Sequence, residues 1–426
     1  MREDLLHFIW KYKKLPLKNL VTTNDQEVSL IDLGLHNQNE GPDFFNAKIK
    51  IGDQLWAGNV ELHINASDWY AHRHEQDHNY DNVILHVVWN DDMRIFRNDQ
   101  SVIPTLELKN YIPTSILNSY HRLFEQQHLK FINCERDIAK VDEFTINNWL
   151  SRLYVERLER KSELIEELLS SSKNDWEYVL FALLLKNFGL KVNGDSFFSL
   201  AKAMDYSLVR KLQNQKQLES TLFGLAGLLQ DEMILDPYYL GLKQEYTYQS
   251  HKFDLSESGI LKPQFFKLRP TNFPTIRLSQ FAQLYHKESN LFSKVISNTD
   301  LDHFYTMFNI GTTPYWDDHF TFGKKSKKSR KKLSKNFSDL LLINTIIPVK
   351  FAYARYLGKD INNKIFSLAE SILAEQNSVI SNFKTLKIPV SSSKESQSIL
   401  QLYNEYCTKN KCLQCAIGGQ LLNGNK

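Results

Sequence analysis

Glu40, Asp43, Glu61 and His63 are of types, and at spacings, that could do chemistry together. In the segment NVELH and the residue after it, strand alternation gives Val60, Leu62 and Ile64 one face and Glu61 and His63 the other. A carboxylate and an imidazole then stand about 7 Å apart along the strand. Asp43 opens the preceding strand of the same expected hairpin, so it can face Glu61 across a strand pair, at about 5 Å. Gly41-Pro42 makes a tight entry that aims it. Two carboxylates this close require a counterion, and Mg²⁺ or Mn²⁺ suits oxygen ligands. Such an ion polarises a phosphoryl oxygen and activates water. His63 is placed to orient that water or to stabilise developing charge. The plainer alternative is that Glu61 and His63 only face solvent.

Other side chains could hold metal. His63, His72, His74, His78 and His86 crowd one short stretch, with Asp77 beside them. His72 and His74 chelate together only if the chain is not helical between them, since a helix sends i and i+2 to different faces. They and Asp77 would make a second zinc site; polar loop histidines are the simpler reading. Cys407, Cys412 and Cys415 are spaced x₄ and x₂, and the remaining cysteine is Cys134. Four thiolates suit structural Zn²⁺. The spacing also matches the plant-type ferredoxin arrangement, so an iron–sulfur cluster is the second choice.

The elements that would position these groups fall into two textures. An α/β part runs to about residue 135. Strands are expected at Glu27–Leu33, Asn46–Ile51, Gln54–Ile64, Val83–Trp89 and Val102–Leu108, with a Gly52-Asp53 hairpin turn and a short helix after Ser67-Asp68. VILHVVW is apolar enough for a strand buried on both faces, with His86 inside it. The part from 136 to 426 has helical spacing over Asn147–Leu169, Glu177–Phe188, Leu218–Leu229, Leu278–Tyr285 and Ile361–Glu375, interrupted by the prolines of Leu261–Thr275.

Charge is unevenly distributed. Residues 324–335 hold eight of the 52 Lys+Arg; the remaining 44 stand against 49 Asp+Glu, so an acidic body carries one basic run. Lys324, Lys325, Lys327, Lys328, Arg330, Lys331 and Lys332 have the density of a nucleic-acid contact, and without interleaved aromatic residues they suit phosphate rather than bases. A solvated loop is the alternative. No apolar run reaches about 18 residues, so no membrane span is expected. The N-terminus lacks a cleavable apolar segment, which makes the cytoplasm the default location.

Pro42-Asp43 followed by Glu61-Leu62-His63 resembles the PD-(D/E)xK nuclease motif, with His63 in the lysine position. The resemblance implies a restriction-endonuclease-like mixed sheet, Asp43 and Glu61 as metal ligands, His63 as the lysine equivalent and Glu40 as a further acid. Some nucleases of that group hold an iron–sulfur cluster through a distant cysteine and a terminal cysteine cluster. The stretches GPDFFNAKI, WAGNVELHINASDWYAH, VILHVVWNDD, IPTLEL, LFGLAGLL, LRPTNFPTIR and INTIIP, with the terminal cysteines, are similar over most of the chain to a bacterial family known as domain of unknown function 2851. The expectation is a metal-dependent nuclease acting on DNA or RNA. The alternative is a non-catalytic nucleic-acid-binding or assembly protein on the same fold, favoured by the loss of a fixed positive charge at His63.

Overall fold

The computed structural model describes residues 1–37, 40–124, 130–212, 214–360 and 362–423. The chain divides into two compact units. The first comprises Met1–Trp149, Asn382–Ile388 and Leu402–Lys426; the second comprises Leu150–Ser381 and Pro389–Gln401. A division at 135/136 assigns the cysteine-bearing tail to the helical part. Contacts group it with the sheet, because the helix Ala416–Asn423 packs on the helix Thr114–Phe124 and the turn Cys412–Gln414 packs on the N-terminal helix.

The first unit begins with α1 (Glu3–Lys11). Its apolar residues Leu5, Leu6, Phe8, Ile9 and Trp10 are buried, so the helix is fixed by packing. The strands are β1 (Leu20–Val21), β2 (Glu27–Asp32), β3 (Leu35–His36), β4 (Phe44–Ile51), β5 (Gln54–Asn65), β6 (Val83–Asn90) and β7 (Thr105–Glu107). They form one mixed sheet in the order β1-β2-β4-β5-β6-β7, with β3 also paired to β4. β4 and β5 are an antiparallel hairpin closed at Gly52, whose φ of 57° is the left-handed conformation such a turn requires. β5, β6 and β7 are parallel. The β5–β6 crossover contains α2 (Asp68–Ala71), followed by two short 3₁₀ turns at His74–Gln76 and His78–Tyr80. Trp69 from α2 packs with Val83, Val88, Ile95 and Ile103. α3 (Thr114–Phe124) follows the sheet.

The second unit is mostly helical. Phe181, Phe188, Phe223, Phe281 and Trp316 are among its fully buried side chains. The helix expected at Leu278–Tyr285 begins earlier, with Pro274 in its first turn, where a missing N–H costs nothing. The helix expected from Ile361 is described from Asn362; Ile361 is outside the described residues. One continuous helical stretch, Lys335–Tyr356, has the length and apolar character of a membrane span. It escapes a count of consecutive apolar residues because polar residues interrupt it, and 78% of its apolar window is buried inside the protein.

Candidate metal centre

The site is built on the sheet where β4 meets β5, roofed by the β5–β6 crossover. The Asp43 N–H donates to Glu61 Oε2 at 3.0 Å, and the Leu62 N–H donates to Asp43 Oδ2 at 2.9 Å. Each carboxylate is thus tied to the other's strand, and the hairpin register brings the two acids together as expected. Alternation also holds along β5, with one difference. Glu61 and His63 are only 5% and 1% exposed, because the crossover covers their face. They do not face solvent.

The histidines converge on Glu61. His63 Nε2 is 3.5 Å from Glu61 Oε1, and His74 Nε2 is 3.3 Å from the same oxygen. His63 Nε2 is 3.1 Å from His72 Nδ1. Ligand atoms of His63, His72 and His74 all lie within 4.8 Å of one another. His72 and His74 meet because Arg73 between them has φ 62°, a left-handed residue that breaks the helix after α2. His74 is stacked against Tyr80, with ring centroids 3.8 Å apart, and against His63 on its other side. Behind the cluster, His63 Nδ1 and His86 Nε2 are 2.8 Å apart, in strands paired side by side. Such a partner fixes the tautomer and orientation of a ligating imidazole.

Two observations fit a metal ion. The buried His74 Nε2 has no hydrogen-bond partner although a carboxylate oxygen is 3.3 Å away. Donor atoms that crowd without hydrogen-bond geometry are what a shared cation would draw together. The electrostatics agree. Burial, with the charge of Asp43, pushes the Glu61 carboxyl well above the usual carboxylate range. Burial, with His86, His74 and His72 alongside, pushes His63 far below the usual imidazole range. Neutral imidazoles are metal ligands in waiting. His63, His72 and His74 form the close donor set, with the Glu61 carboxylate beside two of them and Asp43 joined to Glu61 through its main-chain N–H.

Two further contributors come from α1 and escape a reading of the hairpin motif. His7 Nε2 is 3.1 Å from Asp43 Oδ2 without hydrogen-bond geometry; burial lowers its pKa, but the neighbouring Asp43 carboxylate outweighs this and the net shift is upward. Glu3, one turn earlier, is raised by burial and then by Asp43. Their i, i+4 spacing on α1 is the signal that could find them. Asp77 does not join the histidines; it caps the turn His78–Tyr80 by accepting from the Asn79 N–H. Glu40 is exposed, and its carbonyl accepts from Asn37 Nδ2; no contact with the cluster is found among the described residues.

The basic run is ordered. It starts in a two-stranded hairpin, His319–Thr321 with Lys324–Lys325. Lys324, Lys325, Lys327, Lys328, Arg330 and Lys332 are exposed. Lys331 is buried; its Nζ donates to the carbonyls of Asp317 and Ser329 and lies over the Phe320 ring. Lys331 is therefore a structural lysine, invisible as such in a run of like charges. Cys134, Cys407, Cys412 and Cys415 line one cavity in the first unit.

A family described as protein of unknown function (DUF2851) matches residues 3–378. The chain belongs to that family. The matched span includes every residue of the acid–histidine cluster and stops before the tail cysteines. Comparison with curated proteins returned no match, and comparison with solved structures returned none.

Proposed function

We propose that the chain is a metal-dependent hydrolase of nucleic-acid phosphodiesters, and that its first unit is a variant of the PD-(D/E)xK nuclease fold. What carries the reading is the meeting of His63, His72 and His74, with the buried Glu61 carboxylate beside His63 and His74 and Asp43 tied to Glu61 through its main chain. An antiparallel hairpin bearing the acids, followed by a crossover and parallel strands, supports the fold assignment. Three imidazoles beside two carboxylates favour Mn²⁺, Fe²⁺ or Zn²⁺ over Mg²⁺. Such an ion supplies Lewis acidity toward a phosphoryl oxygen and lowers the pKa of water. Asp43 and Glu61 would help to hold it and would neutralise its charge. His63, held neutral and oriented by His86, presents a fixed tautomer. His7, kept protonatable by Asp43, can deliver or accept a proton at the edge of the site. The exposed cations between Lys324 and Lys332 provide charge for phosphate.

A second reading, a non-catalytic nucleic-acid-binding or assembly protein, rests on one observation. The position of the motif lysine is a buried, neutral histidine, so no fixed cation faces the substrate. Cleavage of single- and double-stranded DNA and RNA with Mn²⁺ or Zn²⁺ separates the two. The enzyme reading expects turnover that Asp43→Asn reduces by about 10²-fold or more. Salt-sensitive binding with no cleavage by wild type selects the second.

A further inference from the structure

The four cysteines are a separate matter and do not rest on the acid–histidine cluster. Cys134 comes from the segment after α3, and Cys407, Cys412 and Cys415 from the tail, yet all four wall one cavity of about 20 Å³. All are free thiols. They are neighbours around a common space.

We infer that Cys134, Cys407, Cys412 and Cys415 hold an iron–sulfur cluster rather than a single zinc ion. Spacing is the first reason. Four thiolates around one zinc at about 2.3 Å stand about 3.8 Å apart. Among the described residues, the group whose donor atoms all lie within 4.8 Å of one another is the histidine set; no three of the thiols meet that spacing. Thiolates that bind different irons of a cluster are spread wider than thiolates on one ion. A donor aimed at sulfur is the second reason. Asn133 Nδ2 donates to Cys412 Sγ at 3.3 Å. Hydrogen bonds to sulfur stabilise and tune clusters. Close approach is the third. A Cβ at Gly418 would lie 2.1 Å from the Cys412 carbonyl oxygen, so glycine is what lets that helix turn close over the cysteine loop. The cluster would fasten the tail to the segment after α3, and its binding energy would become folding energy.

The test uses the full chain, purified anaerobically and then reconstituted with ferrous iron and sulfide. Iron, zinc and acid-labile sulfide are assayed beside the absorption spectrum. The inference expects about two to four irons per chain, comparable sulfide and a band near about 400 nm. Cys134→Ser and Cys412→Ser should lose sulfide and band at least about fivefold, and His74→Ala should keep both, since the histidine site binds no sulfide. One zinc per chain without sulfide overturns the inference. So does a colourless, sulfide-free wild type after reconstitution, or full sulfide in Cys134→Ser. If the serine variants fail to fold, the wild-type sulfide content decides alone.

Discussion

At the scale of single residues, Glu61 governs the site. It is buried, accepts one main-chain hydrogen bond from Asp43, and has two imidazole nitrogens beside its other oxygen. Without a cation its ionised form is disfavoured. Above the ordinary carboxylate value of 4.5 the folded protein therefore keeps a proton that the unfolded chain releases, and stability falls as pH rises. Glu61→Gln keeps the Asp43 contact and removes this penalty. The metal-free variant should melt about 2–4 °C above wild type at pH 8 and show no such gain near pH 4.5, by differential scanning fluorimetry. The same variant should lose most of the stabilisation that Mn²⁺ gives wild type. His63, His74 and His86 act in the opposite sense. All three are held below 6.5, chiefly by burial. As pH drops through 6.5 the unfolded chain takes up protons that the folded chain refuses, so metal-free protein should lose stability on the acid side. Changing His86 to Leu should flatten that acid limb, read by the same melting series. Asp43, Glu61 and His63 were legible because strand alternation is local. Burial of their face was not, since the residues that cover it lie in the crossover.

Local elements decide whether the ligands meet. His72 and His74 converge only because Arg73 adopts a left-handed conformation, which a sequence pattern does not mark when the residue is arginine. A β-branched residue there is strained by about 1–2 kcal/mol. Arg73→Val should therefore weaken Mn²⁺ binding about tenfold, while Arg73→Gly, which accepts that conformation freely, should bind within about twofold of wild type, by titration calorimetry. The basic segment makes the same point. Its density was plain in the sequence, but the inward turn of Lys331 onto Phe320 and two carbonyls was not. Changing Lys327, Lys328 and Arg330 to Ala should lower the salt slope of nucleic-acid binding by up to about 0.9 for each phosphate no longer neutralised, with melting unchanged. Lys331→Ala should instead lower the melting temperature, because two carbonyls lose their donor.

For the molecule as a whole, α/β followed by helical texture was readable from periodicity; β2, β4, β5 and β6 follow the expected bounds closely, whereas β7 covers only Thr105–Glu107 and the short β1 and β3 were not expected. The grouping of the tail with the first unit leaves no periodic trace; the four-cysteine set, which joins Cys134 to the tail, was its one sign in the sequence. The uneven charge has a structural counterpart. The acidic excess includes the Asp43–Glu61 carboxylate pair beside histidines, and the basic run contributes seven exposed cations beside the buried Lys331. The hydrolase proposed for the first unit depends on the Asp43–Glu61 pair and its histidines binding a cation. Equilibrium dialysis of Mn²⁺, followed by its paramagnetic resonance, reads this directly, because thiolates compete poorly for Mn²⁺. Wild type should bind about one Mn²⁺, with affinity reduced about tenfold or more in Glu61→Gln and His74→Ala. Equal Mn²⁺ binding by wild type and both variants, or none by wild type, would contradict a metal centre at Asp43 and Glu61.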